Sequence, residues 1–270
     1  MKITLGFSPC PNDTFMFDAM IHQKVDTEGV DFQPIIEDVE VLNLKALQCE
    51  LDMTKLSFNA YINTCSNYIL IQSGAALGNN CGPLLVCKQS KLPFDIHHRV
   101  AIPGRYTTAH KLFQIAYPKH KLTSEYLFSD IESAIQNDEV DAGVIIHENR
   151  FTYEQKGLVK IIDLGQFWES QTNLPIPLGG IVVSRSLDSR LQQKLQRIMR
   201  RSIQFAFNNP SSSKEFVSCH AQEMDYQVMK KHIELYVNDY SLDLGPKGRE
   251  AVAMFFEKAG KNSNDLFVHL

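Results

Sequence analysis

Residues 42–58 read LNLKALQCELDMTKLSF, and residues 131–147 read IESAIQNDEVDAGVIIH. Each begins with apolar residues at helical spacing, breaks on polar residues, and closes on an apolar run of strand length. In the first, the helix breaks near Glu50 and a strand from Asp52 to Leu56 ends at Ser57. In the second, it breaks at Asn137-Asp138 and a strand from Val140 to Ile146 ends at His147. Ala46-Leu47-Gln48 sets against Ala134-Ile135-Gln136, and Leu51-Asp52 against Val140-Asp141.

A second unit also recurs upstream of each. Ile3 to Ser8 has strand character, Pro9-Cys10-Pro11 forces a turn, and Asn12-Asp13-Thr14 are helix-capping types ahead of Phe15, Phe17, Met20 and Ile21. Arg99 to Ile102 repeats the strand and Pro103-Gly104 the turn. Tyr106-Thr107-Thr108 then precede a helix with Leu112, Phe113, Ile115 and Ala116. The order strand–helix, then helix–strand, therefore occurs twice and predicts an α/β fold of two similar lobes. A single α/β domain reusing the same grammar is the alternative.

Residues 69–88 read as two strands around a Gly-Asn turn. Leu84 to Cys87 is expected to cross into the second lobe and Gly179 to Val183 to return. That gives a large lobe of residues 1–87 plus 184–270 and a small lobe of 88–183. Beyond Ser184 the chain reads as helical. Leu191, Leu195, Ile198 and Phe205 lie on one face, and further helices are expected near 213–219, 221–238 and 246–260.

The 270 residues are 44% apolar and 21% charged with a net charge of −4, which suits a globular chain and offers no basic field for nucleic acid or an anionic membrane. No stretch approaches the ~18 continuous apolar residues of a membrane span, and the N-terminal residues lack the apolar core of a signal peptide. A cytoplasmic protein is expected. The six cysteines form no CxxC and no zinc-site spacing. They read as small core residues, with Cys10 a minor candidate nucleophile. No Walker motif, GxGxxG, GxSxG or metal-ligand cluster is present, so neither a bound nucleotide nor a metal is expected.

In open α/β sheets, ligands bind beyond the carboxyl ends of the strands. That rule selects Ser8–Thr14, Ser57–Asn59, Gly104–Thr108 and His147–Arg150, with the two lobes expected to share a central cleft. Ser57 either donates to a ligand or caps the next helix. Thr107 and Thr108 either line an anion site at a helix N-terminus or cap that helix. Lys55 alternates with Leu56 along its strand. His147 ends an apolar strand, so its imidazole is either a hydrogen-bonded structural group or a proton acceptor, with Glu148, Asn149 and Arg150 beside it.

LGFSPCPNDTFMF (5–17), TKLSFNAY (54–61), SGAALGNNCGPLLV (73–86), PGRYTTAH (103–110) and DAGVIIHE (141–148) together resemble the 1,4-dihydroxy-6-naphthoate synthases of the futalosine route to menaquinone. The resemblance spans roughly residues 3–184. It implies a two-lobed type 2 periplasmic-binding-protein-like fold with a central cleft and a helical C-terminal part. It also implies a lyase that converts cyclic dehypoxanthinyl futalosine to 1,4-dihydroxy-6-naphthoate and dihydroxyacetone, without a cofactor. The family's proton acceptor falls on His147. Its substrate contacts fall on Lys55, Leu56 and Ser57, and on Thr107 and Thr108. The implied partner is a small-molecule carboxylate, with no nucleic acid and no membrane. Asn12 and Asp13 are further candidates. The roles of Asn12, Asp13 and Arg150, and the oligomeric state, stay open.

Three rivals share the fold. A solute-binding protein should carry an export signal. A chorismate dehydratase, a sibling enzyme, should lack the opening motif and the His147 motif. A transcription regulator needs a DNA-binding segment.

Overall fold

The computed structural model describes residues 1–147, 149–221 and 225–268. The chain forms two compact units, Met1–Gly78 with Pro177–Leu270, and Asn79–Ile176. Each is built on a mixed sheet flanked by helices.

In the first unit, strand Lys2–Phe7 lies between Asp31–Ile36 and Met53–Ser57, parallel to both. Met53–Ser57 pairs antiparallel with Ile176–Ser184, and Tyr68–Leu70 lies outside that. In the second unit, Val100–Ile102 lies between Thr123–Glu125 and Ala142–Ile145, parallel to both. Ala142–Ile145 pairs antiparallel with Leu84–Lys88, followed by Leu158–Asp163. Across these five strands the order and sense of the two sheets agree, and the first sheet carries a sixth strand, Ala76–Gly78, paired with Ile176–Ser184.

The crossing strands go with the sheet they enter. Leu84–Lys88 hydrogen-bonds in the second sheet and Ile176–Ser184 in the first. The unit boundaries therefore lie at 78/79 and 176/177, earlier on both sides than the expected 87/88 and 183/184. The reason is that a buried strand needs its backbone groups paired, and only the sheet being entered supplies the partners.

The repeat extends to hydrogen bonds. Helix Val39–Leu47 ends with Cys49 N–H on Ala46 C=O (3.0 Å) and Glu50 N–H on Lys45 C=O (3.1 Å). Helix Ile131–Gln136 ends with Asp138 N–H on Ile135 C=O (3.2 Å) and Glu139 N–H on Ala134 C=O (3.0 Å). Both are Schellman closures, with Cys49 (φ 59°) and Asp138 (φ 58°) in the left-handed region. A carboxylate follows each closure. Asp52 accepts from Thr4 N–H and hydroxyl, both at 2.8 Å. Asp141 accepts from Arg99 N–H at 2.8 Å. Each ties its strand to the start of the parallel neighbour.

Asp141 also accepts from Lys91 Nζ (2.8 Å) and Arg99 Nε (3.2 Å). Burial alone would raise its carboxyl, but these hydrogen bonds outweigh burial and hold it well below the usual carboxylate range. A carboxyl so held contributes stability above the unfolded chain's pKa and loses it as pH falls through the folded value. Asp141→Asn is therefore expected to cost about 1–2 kcal/mol in urea unfolding at pH 7. Its deficit should narrow below about pH 4, where the unfolded carboxyl protonates. A deficit independent of pH would contradict this.

Helix Pro11–Ile21 is buried along nearly its whole length; Phe17 stacks on Phe7 with ring centroids 4.7 Å apart. Helix Ser189–Asn208 packs on it through Leu195, Ile198, Met199 and Ile203. Leu191 joins that face, whereas Phe205 is half-buried and Ala206 takes the inward position. Helices Lys214–His220, Tyr226–Tyr236 and Gly245–Lys258 follow. The expected helix 221–238 overlaps residues 222–224, which lie outside the described residues. The C-terminal part is not wholly helical. Leu266 C=O accepts from Leu70 N–H (2.9 Å) and Val268 N–H donates to Leu70 C=O (2.8 Å), so the chain end covers the open edge of Tyr68–Leu70. Among the described residues, no helix is long and apolar enough to cross a membrane.

Candidate active site

Parallel strands bring their carboxyl ends to one edge. In the first unit, Lys2–Phe7 and Met53–Ser57 thus deliver the Ser8–Thr14 turn and the Lys55–Ser57 strand end together. The helix starts at Pro11, with Cys10 as its N-cap, one turn ahead of the capping role expected of Asn12, Asp13 and Thr14. Proline suits the first helical position because its missing N–H needs no partner there. This frees Asp13 to reach backwards. Its Oδ2 accepts from Ser8 N–H (3.1 Å) and Ser8 hydroxyl (2.7 Å); its Oδ1 accepts from Asn12 Nδ2 (2.8 Å) and Lys55 Nζ (3.0 Å). Asp13 is 1% exposed and Lys55 6%, so this ion pair lies out of bulk water.

The network runs on into the C-terminal helices. Asn12 Oδ1 meets Nε2 of His232 at 2.9 Å, and His232 is fully buried. His232 lies on helix Tyr226–Tyr236. Its link to Asn12 spans most of the chain, and no local pattern signals it.

Lys55 and Ser57 share one side of their strand. Leu56 projects to the other, where its side chain is 1% exposed in the core. Any ligand contact from Leu56 is thereby restricted to its main chain. Ser57 precedes helix Phe58–Thr64 but makes no side-chain cap bond. It engages Asn43 of helix Val39–Leu47 instead: Ser57 N–H donates to Asn43 Oδ1 (3.0 Å), and Asn43 Nδ2 donates to Ser57 Oγ (3.3 Å). Asn43 was not singled out in the sequence. The available signal was a polar residue on the helix face that carries Leu42 and Ala46.

In the second unit, Val100–Ile102 and Ala142–Ile145 deliver the Gly104–Thr108 turn and His147 to one edge. Thr107 caps helix Thr108–Ala116: its hydroxyl accepts from His110 N–H (3.2 Å) and donates to Gly104 C=O (2.8 Å). Thr108 opens the helix and is buried. Burial pushes the His110 imidazole down, away from its charged form, and its Nδ1 meets Arg105 C=O at 3.0 Å.

His147 is half-buried in a turn after Ile146, and its ring meets Phe128 edge-on with centroids 4.9 Å apart. Its φ is 55°. Cys49, Asp138 and Asn173 adopt similar values where helices end, a common closing device. His147 does so after a strand, where the left-handed backbone swings the imidazole out of the strand's alternation at a cost of about 1–2 kcal/mol. Glu148 lies outside the described residues. Asn149 donates from Nδ2 to Phe128 C=O (3.4 Å), holding the segment that carries the ring against His147.

Arg150 is a structural clamp. Its guanidinium donates to Gly82 C=O and to Asp163 Oδ2 (3.2 Å), and Asp163 caps helix Leu164–Thr172. A Cβ on Gly82 would stand 2.3 Å from Gly165 Cα, so the two backbones approach closer than any side chain permits. This close approach accounts for Gly82, the second glycine of the GNNCGP segment. Cys10, Cys81 and Cys87 are buried, and the six cysteines are free thiols. Among the described residues, no group of three His, Cys, Asp or Glu side chains could hold a metal.

Comparison with known proteins fits this geometry. The menaquinone biosynthesis family model matches residues 3–261. A 1,4-dihydroxy-6-naphthoate synthase of Thermus thermophilus is 43% identical over 257 residues, covering 95% of this chain and 93% of that protein. One of Streptomyces coelicolor is 38% identical over 263 residues, covering 95% and 92%. A solved structure from Archaeoglobus fulgidus has a TM-score of 0.90 at 36% identity, covering 96% and 97%. A Candida albicans protein described as having the generic periplasmic binding protein fold has a TM-score of 0.69 at 10% identity, covering 100% and 98%, which bears on the fold alone. The fold is therefore periplasmic-binding-protein-like, and the chain belongs to the menaquinone biosynthesis family as one of its enzymes.

Proposed function

We propose that this enzyme is a lyase that converts cyclic dehypoxanthinyl futalosine into 1,4-dihydroxy-6-naphthoate and dihydroxyacetone in the cytoplasm, with His147 as the proton acceptor. The observation that carries the assignment of the base is His147 itself, an imidazole set by a left-handed backbone at the carboxyl end of a sheet strand and braced by Phe128. A neutral imidazole accepts a proton near pH 7. It takes one beside the substrate's carbonyl, the electron pair expels the three-carbon remnant, and aromatisation of the bicyclic ring drives the cleavage. No net electron transfer is involved, so the step needs no redox cofactor.

The remaining residues bind and orient. Lys55, ion-paired with Asp13, and Ser57 lie on one side of their strand, and both suit the oxygen-rich part of the substrate. The Thr107 hydroxyl accepts from His110 N–H and donates to Gly104 C=O, so what this helix start offers an anion is the partial positive charge of its N-terminus. A substrate carboxylate suits that position. Asp13 acts through Lys55, and Asn12 through Asp13. The test is to supply purified protein with cyclic dehypoxanthinyl futalosine alone and follow both products by chromatography. Both should form; folded protein that forms neither would end this reading.

A further inference from the structure

We propose that Asn43 is a positioning residue that sets the polarity of the Ser57 hydroxyl, leaving its proton for the substrate; this rests on the reading of Ser57 as a substrate contact. A main-chain N–H can only donate, so the atom of the Asn43 amide 3.0 Å from Ser57 N is the oxygen. That fixes the amide's orientation without appeal to its own density of contacts. The amide nitrogen then faces Ser57 Oγ at 3.3 Å and Glu40 Oε2 at 2.8 Å. Glu40 confirms the assignment independently, because a carboxylate accepts and requires a donor opposite.

Ser57 Oγ is consequently an acceptor towards Asn43. A hydroxyl has one proton, and it must point elsewhere. Among the described residues, Ser57 Oγ donates no hydrogen bond, and the hydroxyl does not cap its own helix. Ser57 is 5% exposed and Asn43 is fully buried, so water does not readily scramble the arrangement. The fully paired amide thus converts an ambivalent hydroxyl into a directed donor. A donor aimed at a substrate oxygen strengthens as negative charge develops there.

Asn43→Asp tests this, because the introduced carboxylate still accepts from Ser57 N–H but also captures the Ser57 proton. Glu40→Gln/Asn43→Asp serves as a second variant, with Glu40→Gln as its reference. It removes the repulsion between adjacent carboxylates that would favour protonation or loosen the fold. Turnover of cyclic dehypoxanthinyl futalosine is measured for each variant, alone and combined with Ser57→Ala, with thermal melts run alongside. Ser57→Ala and Asn43→Asp are each expected to lower kcat/KM about tenfold or more, and the pair no further than either alone. An undiminished Asn43→Asp loss in the Ser57→Ala background would overturn the inference while leaving Ser57 in place. So would wild-type turnover by both Asn43→Asp variants. Wild-type turnover by Ser57→Ala would remove Ser57 from the substrate contacts and the inference with it, while product formation by the parent enzyme would still uphold the lyase reading.

Discussion

Replacing His147 with alanine is expected to lower kcat by about 10²–10⁴-fold, the usual contribution of a positioned general base, with KM changed much less. The asymmetry follows from the proposed role: a base acts on the proton in transit and adds little to holding the bound substrate. Stability should move little. His147 is half-buried, and its ring meets the edge of Phe128. A glycine variant separates imidazole from backbone. At φ 55° glycine relieves strain that alanine retains, so His147→Gly should be at least as stable as His147→Ala and equally slow. Steady-state kinetics with thermal melts on both variants decide this. A His147→Ala enzyme with kcat within about threefold of the parent would take the imidazole out of proton transfer.

The second large effect is on folding. Asp13→Ala is expected to cost about 3–5 kcal/mol, because it strands the buried Lys55 ammonium and removes the acceptor of Ser8. Lys55→Met should cost less. Without Lys55, Asp13 keeps three donors, namely Ser8 N–H, Ser8 hydroxyl and Asn12 Nδ2. Adding Lys55→Met to Asp13→Ala should recover part of the loss, since the stranded charge disappears. Urea unfolding midpoints at constant slope give the three numbers. An Asp13→Ala cost below about 1 kcal/mol would mean that water or another group reaches Lys55.

The architecture was legible because it is written twice. Leu51-Asp52 and Val140-Asp141 follow equivalent Schellman closures, and their carboxylates perform the same strand-tying task. Local pattern reached as far as the strand ends, and so picked out Ser57 and His147. It missed what depends on distant parts of the chain. The crossing strand Leu84–Lys88 was assigned to the wrong side because apolar runs do not disclose their partners. The return of Leu266–Val268 to the edge at Leu70 has no signature in a short apolar tail. Asn43 and His232 matter through hydrogen bonds to Ser57 and Asn12, and buried polar residues on helices do not announce what they face. The role of Arg150 was open in the sequence; in the fold its guanidinium engages Gly82 and Asp163, neither of which is near it in the chain.

A lyase and a binding protein on this fold differ in what leaves the site, so the decisive measurement is product count per chain. Purified enzyme is mixed with excess cyclic dehypoxanthinyl futalosine and no other reactant, and naphthoate and dihydroxyacetone are quantified over time. The account predicts equal amounts of both, rising well past one equivalent per chain and collapsing in the His147→Ala variant. Substrate that binds tightly to folded protein and is recovered unchanged would contradict it.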